Sequence, residues 1–306
     1  MKISIIGAGN VGSIAALRIA EQGLGDIVLV DVVKGLAEGK SLDLADAQAL
    51  LKKNYSLKGT DDIKAIGGSS IVVITAGLAR RPGMKREDLL KTNADILQGI
   101  SLNIKQFCPD AIVVVVTNPV DIMTSLVLRV TAFEPQRVFG MGVSLDAARF
   151  ANLIAQELKV PVSEIDACVI GAHGEKMVPL VRFSSVKGKT LDKILSSEQA
   201  ADLVRRTVGR GAQIVSLLGS GSAYFAPCAA IAEIVKILVN DEKRILGVCA
   251  YLKGEYEVKD LYIGVPCRLG KGGVEEVIKL ELNAQEKAAF ALAVSSIKEQ
   301  FKFLPS

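Results

Sequence analysis

Histidine is nearly absent from this chain: His173 is the only one in 306 residues. The five cysteines, at 108, 168, 228, 249 and 267, lie far apart and mostly inside apolar segments, with no C-x-x-C pair and a single histidine in the whole chain to share a metal. That pattern excludes a disulfide framework, and no metal is expected. The thiols read as small buried hydrophobes in a reducing compartment. Long apolar runs are missing as well, since stretches such as "AIVVVVTN" fall far short of the ~20 residues that cross a bilayer. The opening "MKISIIGAG" lacks the layout of a signal peptide, so a cytoplasmic location is expected and no membrane partner. Basic runs interleaved with aromatics are absent and the net charge is only +4, which leaves nucleic-acid binding without support. Internal repeats and low-complexity linkers are also lacking.

What remains is the composition of an ordinary folded protein, half hydrophobic and 23% charged. Its length suits one large or two medium α/β domains. Up to about residue 140, short β-branched runs ("KISIIGA", "DIVLVDV", "SIVVITAG", "AIVVVVTN", "RVFGMG") alternate with helical patterns at about 10–22, 35–51, 86–107 and 120–132. Strands apolar on both faces, joined by helices, predict a parallel sheet covered on both sides. After about 143 the texture changes. A helix "SLDAARFANLIAQEL" leads into strand-like stretches near 165–187, then helical patterns at 197–218 and 223–240. Hairpin-like strands follow over 244–282, with Gly254, Gly264 and "GKGG" as turns, and a final Ala/Lys/Glu-rich helix closes the chain. The expectation is two domains, 1–142 and 143–306, the second of mixed α+β type.

The first strand runs into "GAGNVG", Gly7, Ala8, Gly9, Asn10, Val11 and Gly12, a G-x-G-x-x-G turn that opens a helix. Small residues there admit a pyrophosphate to the backbone, and the helix N-terminus attracts it. The next strand ends on Asp31, nineteen residues after Gly12, where a carboxylate accepts hydrogen bonds from both ribose hydroxyls of an adenosine and repels a 2′-phosphate. Together these predict a doubly wound Rossmann domain that binds NAD in preference to NADP.

Three further segments carry chemistry-bearing side chains. "TAGLARRPGMKREDLLKTN" (75–93) follows a strand and concentrates Arg80, Arg81, Lys85 and Arg86, which suits an anionic substrate or phosphate and equally describes a solvated basic loop. "VTNPVDI" (116–122) puts Asn118 at the carboxyl edge of the sheet, able to donate to a substrate oxygen or hold a nicotinamide ribose, although Asn-Pro is also a common turn. "GAHGEKMVPL" sets His173 among turn glycines, and on that segment alone a turn histidine is the simpler reading.

Taken in order and spacing, "GAGNVG", "VLVD", "TAGLARRPGMKREDLLKTN", "TNPVD", "SLDAARF" and "GAHGEKMVPL" resemble the malate and L-lactate dehydrogenase family, over the whole chain. Within it the likeness is greatest to the lactate-dehydrogenase-like malate dehydrogenases of bacteria and archaea. The resemblance implies NAD-dependent oxidation of a 2-hydroxy acid to a 2-oxo acid. It makes His173 the proton carrier and Asp146 the carboxylate that orients and charges the imidazole. Arg149, three residues on and so on the same helical face, becomes the two-pronged clamp for the substrate carboxylate. It implies that Arg86 polarises the carbonyl, that Asn118 donates to the substrate, and that Asn93, Val116 and Thr117 lie beside the cofactor. Arg80 falls where this family selects the substrate side chain, and an arginine there favours a second carboxylate, hence malate and oxaloacetate over lactate and pyruvate. A homodimer or homotetramer is implied. From the residues alone, a surface i,i+3 ion pair is the simpler reading of Asp146 and Arg149, and a catalytically silent dinucleotide-binding protein is the alternative from another class.

Overall fold

The β-branched runs become parallel strands because their side chains are apolar on both faces and find helices on both. In the computed structural model, which describes residues 1–78, 86–219 and 221–304, these are β1 (Lys2–Ile6), β2 (Asp26–Val30), β3 (Leu57–Thr60), β4 (Ile71–Ile74), β5 (Ile112–Val115) and β6 (Val138–Gly140). They lie in the order β3-β2-β1-β4-β5-β6, all parallel. Helices α1 (Asn10–Glu21), α2 (Leu36–Leu51), α3 (Arg86–Phe107) and α4 (Val120–Thr131) provide crossovers. This is the doubly wound order, and its reversal between β1 and β4 opens a crevice at the carboxyl ends of the strands. The edge strand β3 is absent from the sequence expectation. Its residues LKGT carry no apolar run, and Gly59 is required because a Cβ there would stand 1.9 Å from the Ala37 carbonyl of α2.

The second half is tied into the same sheet. After α5 (Val143–Leu158) come short strands β7 (Ile165–Asp166), β8 (Val169–Gly171), β9 (Met177–Pro179), β10 (Ser185–Val186) and β11 (Lys189–Thr190). Then follow α6 (Ser197–Leu218), α7 (Phe225–Asn240), the long hairpin β12 (Arg244–Lys253) and β13 (Lys259–Gly270), β14 (Gly273–Val277) and α8 (Ala284–Phe301). β12 pairs antiparallel with β6 through Cys249 and Gly140, and β13 continues the sheet through Gly264 and Gly171 to β8. Capping boxes start α6 (Ser196, Gln199) and α8 (Asn283, Glu286), so both satisfy their first amides from within the sequence.

Gly264 is not a turn. It lies within β13, where a Cβ would meet Val143 of α5 at 2.2 Å and the Gly171 carbonyl at 2.6 Å. The glycine there lets α5 lie against the strand. The hairpin region also ends at Val277, short of 282.

One apolar core runs through both halves, from Ile3, Ile5, Val73 and Val114 across Phe139 to Val248, Ile263 and Val265. Each such side chain contributes about 1.5–3 kcal/mol of burial. A second cluster, with Phe150, Leu153, Leu191 and Leu203, joins α5 to α6 and the small β11-β10-β7 sheet. Four of the cysteines are buried and Cys168 is half-buried, all of them free thiols. Among the described residues no helix is long and apolar enough to cross a membrane, and no group of acidic, cysteine and histidine side chains could hold a metal ion.

Candidate active site

Where β1 gives way to α1, the glycines of "GAGNVG" divide by role. Gly7 has φ +108°, and a Cβ on it would stand 2.6 Å from the Ala76 amide. One on Gly12 would stand 1.8 Å from the Gly7 carbonyl, so both are needed to close the turn against β4. Gly9 is different. It is exposed with nothing within 4 Å of a Cβ, at the N-terminus of α1, which leaves open backbone where an anion meets free helix amides. Asn10 is exposed beside it, while Ala8 is buried and Val11 half-buried. Asp31, at the end of β2, accepts the Ala8 amide on Oδ2 at 2.6 Å and the Val33 amide on Oδ1 at 3.0 Å. Its carboxylate is thereby fixed over the loop, with lone pairs remaining for hydroxyl donors. This cradle fits a dinucleotide.

Lys40 of α2 also reaches the loop, donating to the Ala8 carbonyl at 2.6 Å and to Ser13 Oγ at 3.0 Å. Sequence reading missed it because a lysine on a helix gives no signal of a tertiary reach.

At the ends of β4 and β5, Asn93 of α3 is fully buried. Its Oδ1 accepts the Leu78 amide at 2.8 Å, and its Nδ2 donates to the carbonyls of Leu78 and Asn118 at 3.2 and 2.8 Å. Its amide spends these hydrogen bonds on clasping two loops together. Thr117 is buried and donates to the Ala76 carbonyl at 2.6 Å, Val116 is half-buried, and Asn118 is exposed at the sheet edge. Arg86 opens α3. Arg80, Arg81 and Lys85 lie outside the described residues.

The third group is the most tightly built. Asp146, in the first turn of α5, has no exposure at all, and its two oxygens take different partners: Oδ1 accepts from Arg149 Nη1 at 3.0 Å, and Oδ2 meets His173 Nδ1 at 2.8 Å. A surface ion pair is ruled out by that burial. His173 follows β8 in a turn whose glycines do adopt left-handed angles, Gly171 at φ +93° and Gly174 at +103°. Turn and function coexist, because the turn aims the ring at Asp146. Burial opposes imidazolium, but the charge and hydrogen bond of Asp146, and the charge of Asp121, outweigh it and hold His173 above its ordinary value. Arg149 Nε is buried without a hydrogen-bond partner among the described residues, a donor still owed an acceptor. Gly211 of α6 lies beside this guanidinium, where a Cβ would make ordinary contact with Nη1 at 3.4 Å.

Asp121 completes the cluster and has no role in the sequence reading. Almost fully buried in the first turn of α4, just after the cis Asn118–Pro119 peptide, it accepts the His173 amide on Oδ2 and the Cys249 thiol on Oδ1, both at 3.1 Å. Burial pushes its carboxyl up to about 6 against those two hydrogen bonds. An acid in a helix's first turn reads as a partner for the helix dipole, which hid it.

Comparison with known proteins agrees with this geometry. Residues 1–140 match the lactate/malate dehydrogenase NAD-binding domain, and residues 143–303 match the alpha/beta C-terminal domain of the same family. The malate dehydrogenase of Methanosarcina barkeri is 48% identical over 93% of each chain. The apo malate dehydrogenase of Picrophilus torridus superposes with a TM-score of 0.95 at 41% identity, covering 98% of this chain and 96% of that one. The lactate dehydrogenase of Cryptosporidium parvum, solved with lactic acid and NAD, superposes with a TM-score of 0.95 at 34% identity over 98% and 96%. A dinucleotide cradle at the switch point, a buried Asp146–His173 pair and two family matches that between them cover nearly the whole chain lead to one statement: the protein belongs to the lactate/malate dehydrogenase family.

Proposed function

We propose that this chain is an NAD-dependent malate dehydrogenase that interconverts (S)-malate and oxaloacetate. The observation that carries the reading is the bridge made by Asp146, whose two oxygens hold a proton carrier, His173, and a carboxylate clamp, Arg149. NAD, held by Gly9, the α1 N-terminus and Asp31, supplies the hydride acceptor. His173 takes the hydroxyl proton as malate is oxidised and returns it in the reverse reaction, and Asp146 stabilises the charged ring in between. Arg149 holds the C1 carboxylate with the donors left free by Asp146. Arg86 polarises the reacting carbonyl, Asn118 donates to the substrate, and Arg80 neutralises the second carboxylate. The last three roles rest on sequence position.

The same reading divides the chain into a cofactor domain, 1–142, and a substrate domain, 143–306, a division supported by the junction of the two family matches. It also takes the protein to be a cytoplasmic homodimer or homotetramer. A lactate dehydrogenase is the second reading, favoured by the equal superposition on the lactate enzyme of Cryptosporidium parvum. Initial rates of NADH consumption with oxaloacetate and with pyruvate separate the two. A clear preference for oxaloacetate is expected, and a preference for pyruvate overturns the malate assignment.

A further inference from the structure

Asp121 accepts the backbone amide of His173, whereas Asp146 meets its ring. We propose that Asp121 is a positioning residue which, supported by Cys249, anchors the His173 backbone and supplies a second negative charge that favours imidazolium.

Three observations meet here. First, the anchor is long-range: the carboxylate on α4 accepts the His173 amide across 52 residues, so the loop carrying the imidazole is fixed to the helix that follows the Asn118 loop. Second, both oxygens are engaged by protein donors, and the thiol of Cys249, fully buried in β12, is held at the other one. A carboxylate this buried persists only with such partners. Third, the charged and titratable groups around the imidazole are Asp146 and Arg149 from α5 and Asp121 from α4. Thr124 of α4 adds a hydroxyl beside the Cys249 thiol. Two carboxylates face one arginine, and that balance is neutralised when His173 is protonated. Removing either carboxylate leaves imidazolium less favoured.

The proposal goes beyond the catalytic assignment, and because His173 is the sole histidine it can be read without activity. In tag-free protein labelled with 13C in the histidine ring, one imidazole signal titrates. Asp121→Asn keeps an oxygen to accept the His173 amide but removes the charge, and it is expected to lower that titration by about one unit. Cys249→Ala removes the donor to Oδ1, makes Asp121 easier to protonate and is expected to move the titration the same way by less. Cys249→Ser, which keeps an O–H donor, should move it less than the alanine does.

An unmoved titration in folded Asp121→Asn overturns the proposal. If that variant does not fold, an unmoved titration in Cys249→Ala overturns it instead. The pH profile of kcat/KM keeps the two questions apart. If the ring signal shifts and the rate profile does not, the positioning role stands and His173 is not the proton carrier.

Discussion

His173 Nδ1 and Asp146 Oδ2 stand 2.8 Å apart although 27 residues separate them in the chain. The acid belongs to a helix and the base to a turn after a strand, so the pair exists only where α5 packs beside β8. Because the aspartate takes Nδ1, Nε2 is the ring nitrogen left for the proton transfer proposed above.

The pH dependence follows from the direction of the His173 shift. Burial alone would favour the neutral ring, but the neighbouring carboxylates raise its pKa. Oxaloacetate reduction draws on imidazolium and is therefore expected to hold at pH values above the ordinary histidine range and to decline as pH rises through the raised pKa. Malate oxidation draws on the neutral ring and rises over that same interval. Asp146→Asn should bring both midpoints down, and His173→Asn should cut kcat by ~10²- to 10⁴-fold with NADH affinity nearly intact. Profiles of kcat/KM against pH in both directions, with NADH titrations, check this; an unmoved midpoint in the aspartate variant contradicts it.

Gly9 and Gly12, in the same motif, should respond differently to one methyl group. Gly12→Ala forces a Cβ into the Gly7 carbonyl and is expected to cost about 1–3 kcal/mol of stability. Gly9→Ala meets open space at an ordinary φ of −65°, so its melting temperature should hold while NADH binding weakens. Thermal melts with and without NADH distinguish the two effects.

Cofactor choice is expected to rest on Asp31. Its carboxylate is fixed by the Ala8 and Val33 amides, and a 2′-phosphate brought against it would meet a like charge. NAD should be used well and NADP poorly. Asp31→Ser should narrow the ratio of their kcat/KM values, and equal use of both cofactors by the unaltered protein counts against the assignment.

Substrate choice is expected to rest on Arg80. Losing one partner of a buried charge pair typically costs about 2–5 kcal/mol, so Arg80→Gln should lower kcat/KM for oxaloacetate by one to several orders of magnitude while pyruvate loses little. The ratio of the two kcat/KM values before and after the change is the measurement. An unchanged ratio moves the role to a neighbour, Arg81 first.

Much of this protein is local in origin and was legible in the sequence. The β-branched runs could only be buried strands, the strand–turn–helix of "GAGNVG" with Asp31 at the next strand end describes a dinucleotide cradle, and the order of motifs carried the family. The rest depends on what distant segments bring to each residue. Nothing in the sequence says that Gly9 faces open space while Gly12 is wedged against Gly7, or that Gly264 sits inside a strand because α5 crosses it. Nor does it say that the amide of Asn93 clasps two loops. Asp146 and Arg149 by themselves read as a surface pair until burial and His173 decide the matter, and Asp121 gains meaning only when a histidine amide and a cysteine thiol arrive from 52 and 128 residues away. Hydrophobic periodicity and turn chemistry act between near neighbours, so sequence determines the elements and the cradle. Hydrogen bonds between buried groups far apart in the chain form only once those elements are packed, and that step gave His173 its two carboxylate partners.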